Sequence, residues 1–174
     1  MSLSGGLLAG YWVSKGDPFW TYSGGLAGII TASAGNDLYH PLQAMMIASV
    51  GTYIAYKMHY WVERRFKIDD AVGAVAVHGY AGVVGLVICG FVLWGYPSSG
   101  YDGLGYAAIN PIGMIIGAVI MFGVLGFVPG WILAKILHGA GKLRIPREVE
   151  LAGLDFNIME AAKKDERAVS SASR

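Results

Sequence analysis

Apolar residues are grouped in five segments along the chain, and this pattern predicts membrane helices. A short segment at about 3–13 comes first, and four longer segments follow at about 19–34, 41–62, 71–94 and 111–137. A helix needs roughly 20 apolar residues to cross a bilayer, so the longer segments are close to spanning length and the first is a short or partial helix. Pro41 and Pro111 suit the first turn of the helices that they begin. The pattern therefore predicts an all-α integral membrane protein, a multi-span helical bundle that covers 1–141.

The end of the chain, 142–174, has a different character. It is polar and charged, and it finishes in "SSASR". A segment of this composition does not bury enough apolar surface to form a core of its own. We predict that it is a tail outside the bilayer.

Basic residues indicate which side of the membrane the loops occupy. The loops 35–41 and 95–110 contain no Lys or Arg, whereas basic residues gather at the end of the second long segment and after the last one, as Lys57, Arg64, Arg65, Lys67, Lys135, Lys142, Arg144 and Arg147. Loops rich in Lys and Arg remain cytoplasmic. The sequence thus predicts a protein of the inner or plasma membrane with a cytoplasmic C-terminal tail.

The composition agrees with a protein embedded in lipid. Hydrophobic residues make up 55% of the chain and charged residues 14%, with a mean hydropathy of +0.50, whereas soluble domains carry about 25% charged residues. The 26 glycines favour helices that pack closely, and the net charge of +1 gives no indication of nucleic-acid binding. Cys89 is the single cysteine, in an apolar run, and is expected to be a packing residue. No nucleophile–base pair or metal cluster is evident, so neither an enzyme nor a cofactor is predicted.

One histidine lies inside a predicted span. Asp69 and Asp70 begin the third long segment, where acids suit the start of a helix, and His78 follows eight residues after Asp70. At about 1.5 Å per residue, His78 is roughly 12 Å deeper, near the middle of a bilayer core about 30 Å thick. Its helical neighbours are small: Ala71, Ala74, Ala81, Gly82 and Gly85. Two interpretations stay open: a functional group in a narrow pore, or a neutral histidine that hydrogen-bonds between helices.

The other histidines lie near the ends of the predicted helices. His40 precedes Pro41, His59 is near the cytoplasmic end of the second long segment, and His138 follows the last span. We expect all three at the membrane interface.

Three motifs make the chain resemble the ammonium transporter family (Amt/Mep/Rh). These are "YSGGLAGIITASAG", "RRFKIDDAVGAVAVHGYAGVVG" and "LRIPREVELAGLDFNIME", and their order and spacing are similar to those of the C-terminal half of family members. The match covers most of 20–158, and the combination of motifs is more specific than any one of them. The resemblance implies the C-terminal half of the ammonium transporter fold.

The resemblance also implies a site and partners. It implies a trimer of helical bundles with a hydrophobic pore through each protomer, in which His78 is the second of two histidines that take part in deprotonating ammonium. Asp70 matches a structural acid at the start of the pore helix. The remaining substrate-pore positions implied are Ser23, Leu26, Ser33, Val72 and Ala74. The tail matches a region that contacts PII-type signalling proteins.

Two functions therefore remain as hypotheses. The first is ammonium or ammonia transport, in which this chain is the C-terminal part of a split or truncated transporter and a complementary N-terminal-half chain completes the pore. The second is a non-transporting membrane subunit of the same fold that serves assembly or ammonium sensing.

Overall fold

The computed structural model describes residues 1–98 and 108–153, and these form helices joined by turns. The α-helices are α1 (Ser2–Ser14), α2 (Pro18–Ala32), α3 (Pro41–Phe66), α4 (Ala81–Val92), α5 (Pro111–Ala118), α6 (Val128–Gly139) and α7 (Arg147–Ala152). π-helical segments precede α4 (Val75–Tyr80) and follow α5 (Val119–Phe127). Two compact units can be distinguished, Met1–Gly126 and a second one that begins at Phe127.

Prolines and short polar side chains begin these helices. Pro41 and Pro111 occupy the first turns of α3 and α5, as the sequence predicted. Asn110 accepts a hydrogen bond from the backbone N–H of Gly113 at 2.7 Å, and His40 caps α3 together with Gln43. These contacts satisfy backbone N–H groups that have no partner inside the helix.

Glycines allow α1 and α2 to approach each other closely. Gly6 and Gly10 on α1 face Gly24 and Gly28 on α2, and a Cβ built on Gly28 would lie 2.8 Å from the Cα of Gly6. Each helix thus carries a pair of glycines four residues apart on its contact face, a pattern that permits backbone-to-backbone packing in membranes. The close packing expected from the glycine content is confirmed at this crossing.

Hydroxyl side chains connect α3 to both of these helices. Thr52 donates a hydrogen bond to the carbonyl oxygen of Gly24 at 2.9 Å, and Ser49 donates to that of Gly5 at 3.1 Å. Thr31 on α2 packs against Gly51 on α3. Because the contact residues are small, these hydrogen bonds reach a neighbouring backbone directly.

The fourth helix, Val75–Val92, packs against α2, α3 and α5. At Gly85 it approaches the backbone of Thr31 so closely that a Cβ would overlap the Thr31 carbonyl oxygen. Cys89 is fully buried beside Tyr39 and Leu93, which confirms its expected packing role.

Two of the described helices are long and apolar enough to cross a bilayer by composition and length. They are Val75–Val92 and Pro111–Gly139, with mean hydropathies of 2.0 and 2.4. Many large apolar side chains of Pro111–Gly139 are exposed in the chain, among them Ile112, Ile116 and Val119. Both features suit an integral membrane protein. The assignment of individual spans, and of 142–174 as the tail, stays a prediction.

The second unit contains α6 and α7. In this unit Nη2 of Arg144 donates hydrogen bonds to both carboxylate oxygens of Glu150, at 2.9 and 3.0 Å, and both side chains are well exposed. An exposed pair of this kind contributes little to stability, about 0–1 kcal/mol. The remainder of the predicted tail, 154–174, lies outside the described residues.

Candidate functional site

The candidate site is built from two helix faces. The first face lies on α2 and on the short 3-10 turn Ser33–Gly35 that continues it. Its residues are spaced three or four apart: Ser23, Leu26, Ile30 and Ser33. Residues three and four apart lie on one face of a helix, so these four side chains form a single stripe. We call it the α2 stripe.

The second face lies on the fourth helix. His78, Gly82 and Leu86 are each four residues apart, and His78 belongs to the π-helical segment Val75–Tyr80. The backbone N–H of Ala81 reaches the carbonyl oxygen of Ala76, five residues earlier, which is the hydrogen bond of a π-turn. A π-turn changes the direction in which the side chains before it point relative to those after it. The direction of His78 therefore depends on this backbone feature.

The two faces meet at a cavity of about 520 Å³ within the first unit. Its lining is almost entirely apolar and comes from three parts of the chain, with the described residues Ile30, Ser33, Ala34, His78, Gly82, Leu86, Met121, Phe122 and Gly126. Of these, His78 and Ser33 carry polar side chains. A largely apolar cavity with a few polar groups is typical of a site for a small molecule.

The two polar groups differ in what they can do. The Ser33 hydroxyl donates a hydrogen bond to the carbonyl oxygen of Ile30 at 2.7 Å, so its oxygen can serve a ligand only as a hydrogen-bond acceptor. The imidazole of His78 has two ring nitrogens, which can serve as a hydrogen-bond donor and a hydrogen-bond acceptor. Together they can bind a small donor such as an amine and exchange a proton with it.

The aromatic ring of Phe122 packs directly against Gly82 at the cavity. A Cβ on Gly82 would lie 2.8 Å from Cζ of Phe122 and 3.7 Å from Cγ2 of Ile30. Because Gly82 has no side chain, the Phe122 ring has space beside the face of the fourth helix that carries His78. Phe122 and Met121 were not singled out from the sequence, because they lie in a continuous apolar run without a distinguishing pattern.

The structure brings two of the seven predicted site residues to this cavity, namely His78 and Ser33. Ser23 and Leu26 lie on the α2 stripe but outside the cavity lining, with Ser23 half-buried and Leu26 exposed. Val72 is in the turn before the fourth helix, 71% exposed, and Ala74 is exposed at the start of that helix. The role of all these residues in a pore stays a prediction.

The seventh residue, Asp70, lies at the beginning of the fourth helix. Its Oδ2 atom accepts a hydrogen bond from the backbone N–H of Ala76 at 3.0 Å. The carboxylate thus satisfies a backbone donor in the first turn, and its charge complements the helix dipole.

A second histidine lies next to this acid. The Nδ1 atom of His59 is 3.7 Å from Oδ2 of Asp70, and its side chain is 9% exposed. The structure buries His59 inside the chain against Trp20 and Tyr60, and its expected depth at the membrane interface stays a prediction. The signal available in the sequence was the recurrence of Tyr56, His59 and Tyr60 on one face of α3.

No three metal-ligating side chains lie together in the part of the chain that the structure describes.

Comparisons with known proteins identify the family. The sequence model of the Ammonium Transporter Family matches residues 4–164. The chain is 31% identical over 169 residues to ammonium transporter Amt1 of Methanocaldococcus jannaschii, covering 95% of this chain and 41% of that protein. It is 35% identical over 160 residues to Amt2 of the same organism, covering 90% of this chain and 36% of the relative.

A third relative is ammonium transporter Amt2 of Archaeoglobus fulgidus, 30% identical over 158 residues, with 83% of this chain and 32% of the relative covered. The chain therefore spans about two fifths or less of the length of these three relatives. No solved structure matches it significantly. Because the family match extends over most of the chain, including both helix faces of the cavity, this chain belongs to the ammonium transporter family.

Proposed function

We propose that this chain takes part in moving ammonium or ammonia across a membrane, and that His78 handles the ammonium proton within a pore. One observation carries the proposal. Among the described residues that line the 520 Å³ cavity, His78 is the one titratable side chain, and it belongs to a chain of the ammonium transporter family.

The physical reason lies in the cost of dehydrating a cation. An ammonium ion that enters an apolar cavity loses its hydration shell, which is very unfavourable for a charged group. Transfer of its proton to a nearby base leaves neutral ammonia, for which the apolar lining is a much smaller barrier. An imidazole titrates close to physiological pH and so suits this exchange, and Ser33 can accept a hydrogen bond from the bound amine.

The rest of the pore has to come from outside these helices. His78 is exposed in this chain, as are Met121 and Phe122 beside it. We propose that a complementary N-terminal-half chain covers this face, and that Ser23 and Leu26 on the α2 stripe, with Val72 and Ala74, continue the pore. A trimer of such assemblies and a PII-type regulator at the tail are part of the same proposal. The alternative is a non-transporting subunit that serves assembly or ammonium sensing.

Mass spectrometry of the gently solubilised native complex tests this proposal. We expect a second membrane polypeptide in equal copy number, with a histidine within one of its spans. The same complex in liposomes should take up methylammonium. A complex that contains copies of this chain only, and that transports nothing, would contradict the transporter and favour the assembly or sensing role.

The orientation can be tested by cysteine labelling. In a Cys89→Ala background, Asp37→Cys should react with a membrane-impermeant maleimide in intact cells, since the loop 35–41 contains no Lys or Arg. Lys142→Cys should react only after permeabilisation, because the tail is predicted to be cytoplasmic. The reverse labelling pattern would refute the proposed orientation.

A further inference from the structure

A buried pair of side chains, His59 and Asp70, lies at the start of the helix that carries His78. Nδ1 of His59 is 3.7 Å from Oδ2 of Asp70, and the two side chains are 9% and 15% exposed. The same Oδ2 atom accepts the backbone N–H of Ala76 at 3.0 Å. One carboxylate oxygen therefore connects a residue of α3 to the first turn of the fourth helix.

Aromatic rings hold the imidazole in place. Trp20 is 2% exposed and packs edge-on against His59, with ring centroids 5.1 Å apart. Tyr60 also packs edge-on against His59 at 5.0 Å, and its hydroxyl accepts a hydrogen bond from Nε1–H of Trp20 at 2.9 Å. Since rings on both α2 and α3 enclose it, the imidazole has little freedom to turn away from Asp70.

The contact between His59 and Asp70 is largely shielded from water. A charged or dipolar group interacts more strongly with a carboxylate in a protein interior than in water. A carboxylate with 15% exposure also needs partners, because burial of an unpaired charge is costly. The structure offers Asp70 two partners, the N–H of Ala76 and the imidazole of His59.

The position of His78 depends on this arrangement. The Asp70 carboxylate accepts the backbone N–H of Ala76 in the first turn of the π-helical segment Val75–Tyr80, and His78 lies in that segment two residues beyond Ala76. A shift of the carboxylate would shift the first turn and with it the direction of the His78 ring in the cavity. We propose that His59 is a positioning residue for His78, which it supports by holding the Asp70 carboxylate that caps the helix. The consequence for transport rests on the function proposed above.

Amide hydrogen exchange of the full chain in its membrane complex tests the contact itself. His59→Ala should raise exchange of the peptide that contains Ala76 by about fivefold, because its cap is less well held. His59→Asn should restore slow exchange, since asparagine places an N–H-bearing δ nitrogen at a similar reach. In an Asp70→Asn background, His59→Ala should add little to the change, because the two residues act through one contact.

Tyr60→Phe is the matched control in the same cluster. It removes the hydroxyl that binds Trp20 and leaves the groups of His59 and Asp70 unchanged, so exchange at Ala76 should stay as in the unaltered chain. If Tyr60→Phe accelerates exchange as much as His59→Ala, or if the effects of His59→Ala and Asp70→Asn are additive, aromatic packing sets the helix start and the proposal is overturned.

Methylammonium uptake by the same variants tests the link to His78. Per assembled complex, His59→Ala should lower uptake by about fivefold, and His59→Asn should recover most of it. Unchanged uptake in His59→Ala despite faster exchange would refute the positioning role. An absence of uptake by the unaltered complex would refute the proposed function instead, and the exchange data would still decide whether His59 holds Asp70.

Discussion

Replacement of His78 by alanine should reduce methylammonium uptake by roughly ten- to a hundredfold while the complex still assembles. The estimate follows from the loss of one hydrogen bond to a charged or proton-sharing ligand, about 1.5–3 kcal/mol, with 1.4 kcal/mol per factor of ten. Alanine also removes the one titratable side chain among the described residues of the cavity lining. The chain itself should still fold, because His78 is exposed in it rather than packed in its core, and alanine adds no bulk to the face that the complementary chain is proposed to cover.

Uptake of radiolabelled methylammonium, measured per assembled complex between about pH 5 and pH 8, checks this expectation. His138→Ala is the matched control, since His138 is an exposed histidine at the end of α6, outside the cavity lining. It should leave uptake unchanged. Equal uptake by the His78→Ala variant and the unaltered chain at every pH would remove His78 from the transport mechanism.

Gly85→Ala should lower the free energy of unfolding by about 3 kcal/mol, at the upper end of the usual range for overpacking. A Cβ at this position would overlap the carbonyl oxygen of Thr31 and lie 2.9 Å from its Cα. Backbone atoms cannot rotate away as a side chain can, so α2 and the fourth helix would have to separate. The same separation would widen the cavity between the α2 stripe and His78.

Thermal unfolding of the purified chain in detergent measures the effect, which corresponds to a fall in Tm of roughly 6–12 °C. Gly117→Ala on α5 makes the same chemical change where no atom lies within 4 Å of the added Cβ. It should leave Tm unchanged or raise it slightly, because alanine favours the helix by up to about 1 kcal/mol. An equal fall in Tm for both variants would mean that Gly85 is not a close contact between two helices.

The packing of the bundle could be anticipated from the sequence only in general terms. The abundance of glycine predicted close contacts between helices, and Gly6 and Gly10 facing Gly24 and Gly28 provide them. Which glycines face which helix depends on crossing angles that a single sequence does not contain. Gly85 against Thr31 is such a case, since these residues are far apart in the chain and belong to different motifs.

Only part of the candidate site could be predicted, because the sequence does not show which residues of different helices meet. His78 stood out because an ionisable residue within an apolar segment is costly and hence unusual. Ser33 was placed by resemblance, and the cavity contains both residues. Phe122 and Met121 could not be identified beforehand, because an apolar residue in an apolar helix carries no local signal of what it faces. The pairing of His59 with Asp70 was also missed, since the two residues lie on either side of the end of α3.

The sequence by itself determined the helical character of this protein, the helix starts at Pro41 and Pro111, its place in the ammonium transporter family and the unusual position of His78. Periodicity, capping residues and burial costs act locally, and so they can be read along a single chain. Only the tertiary structure decided that Gly82 leaves space for Phe122, that a π-turn directs His78, and that His59 and Asp70 share a buried contact. Those features depend on how closely two helices approach and on how each is rotated about its axis. Both are determined by packing across the whole bundle.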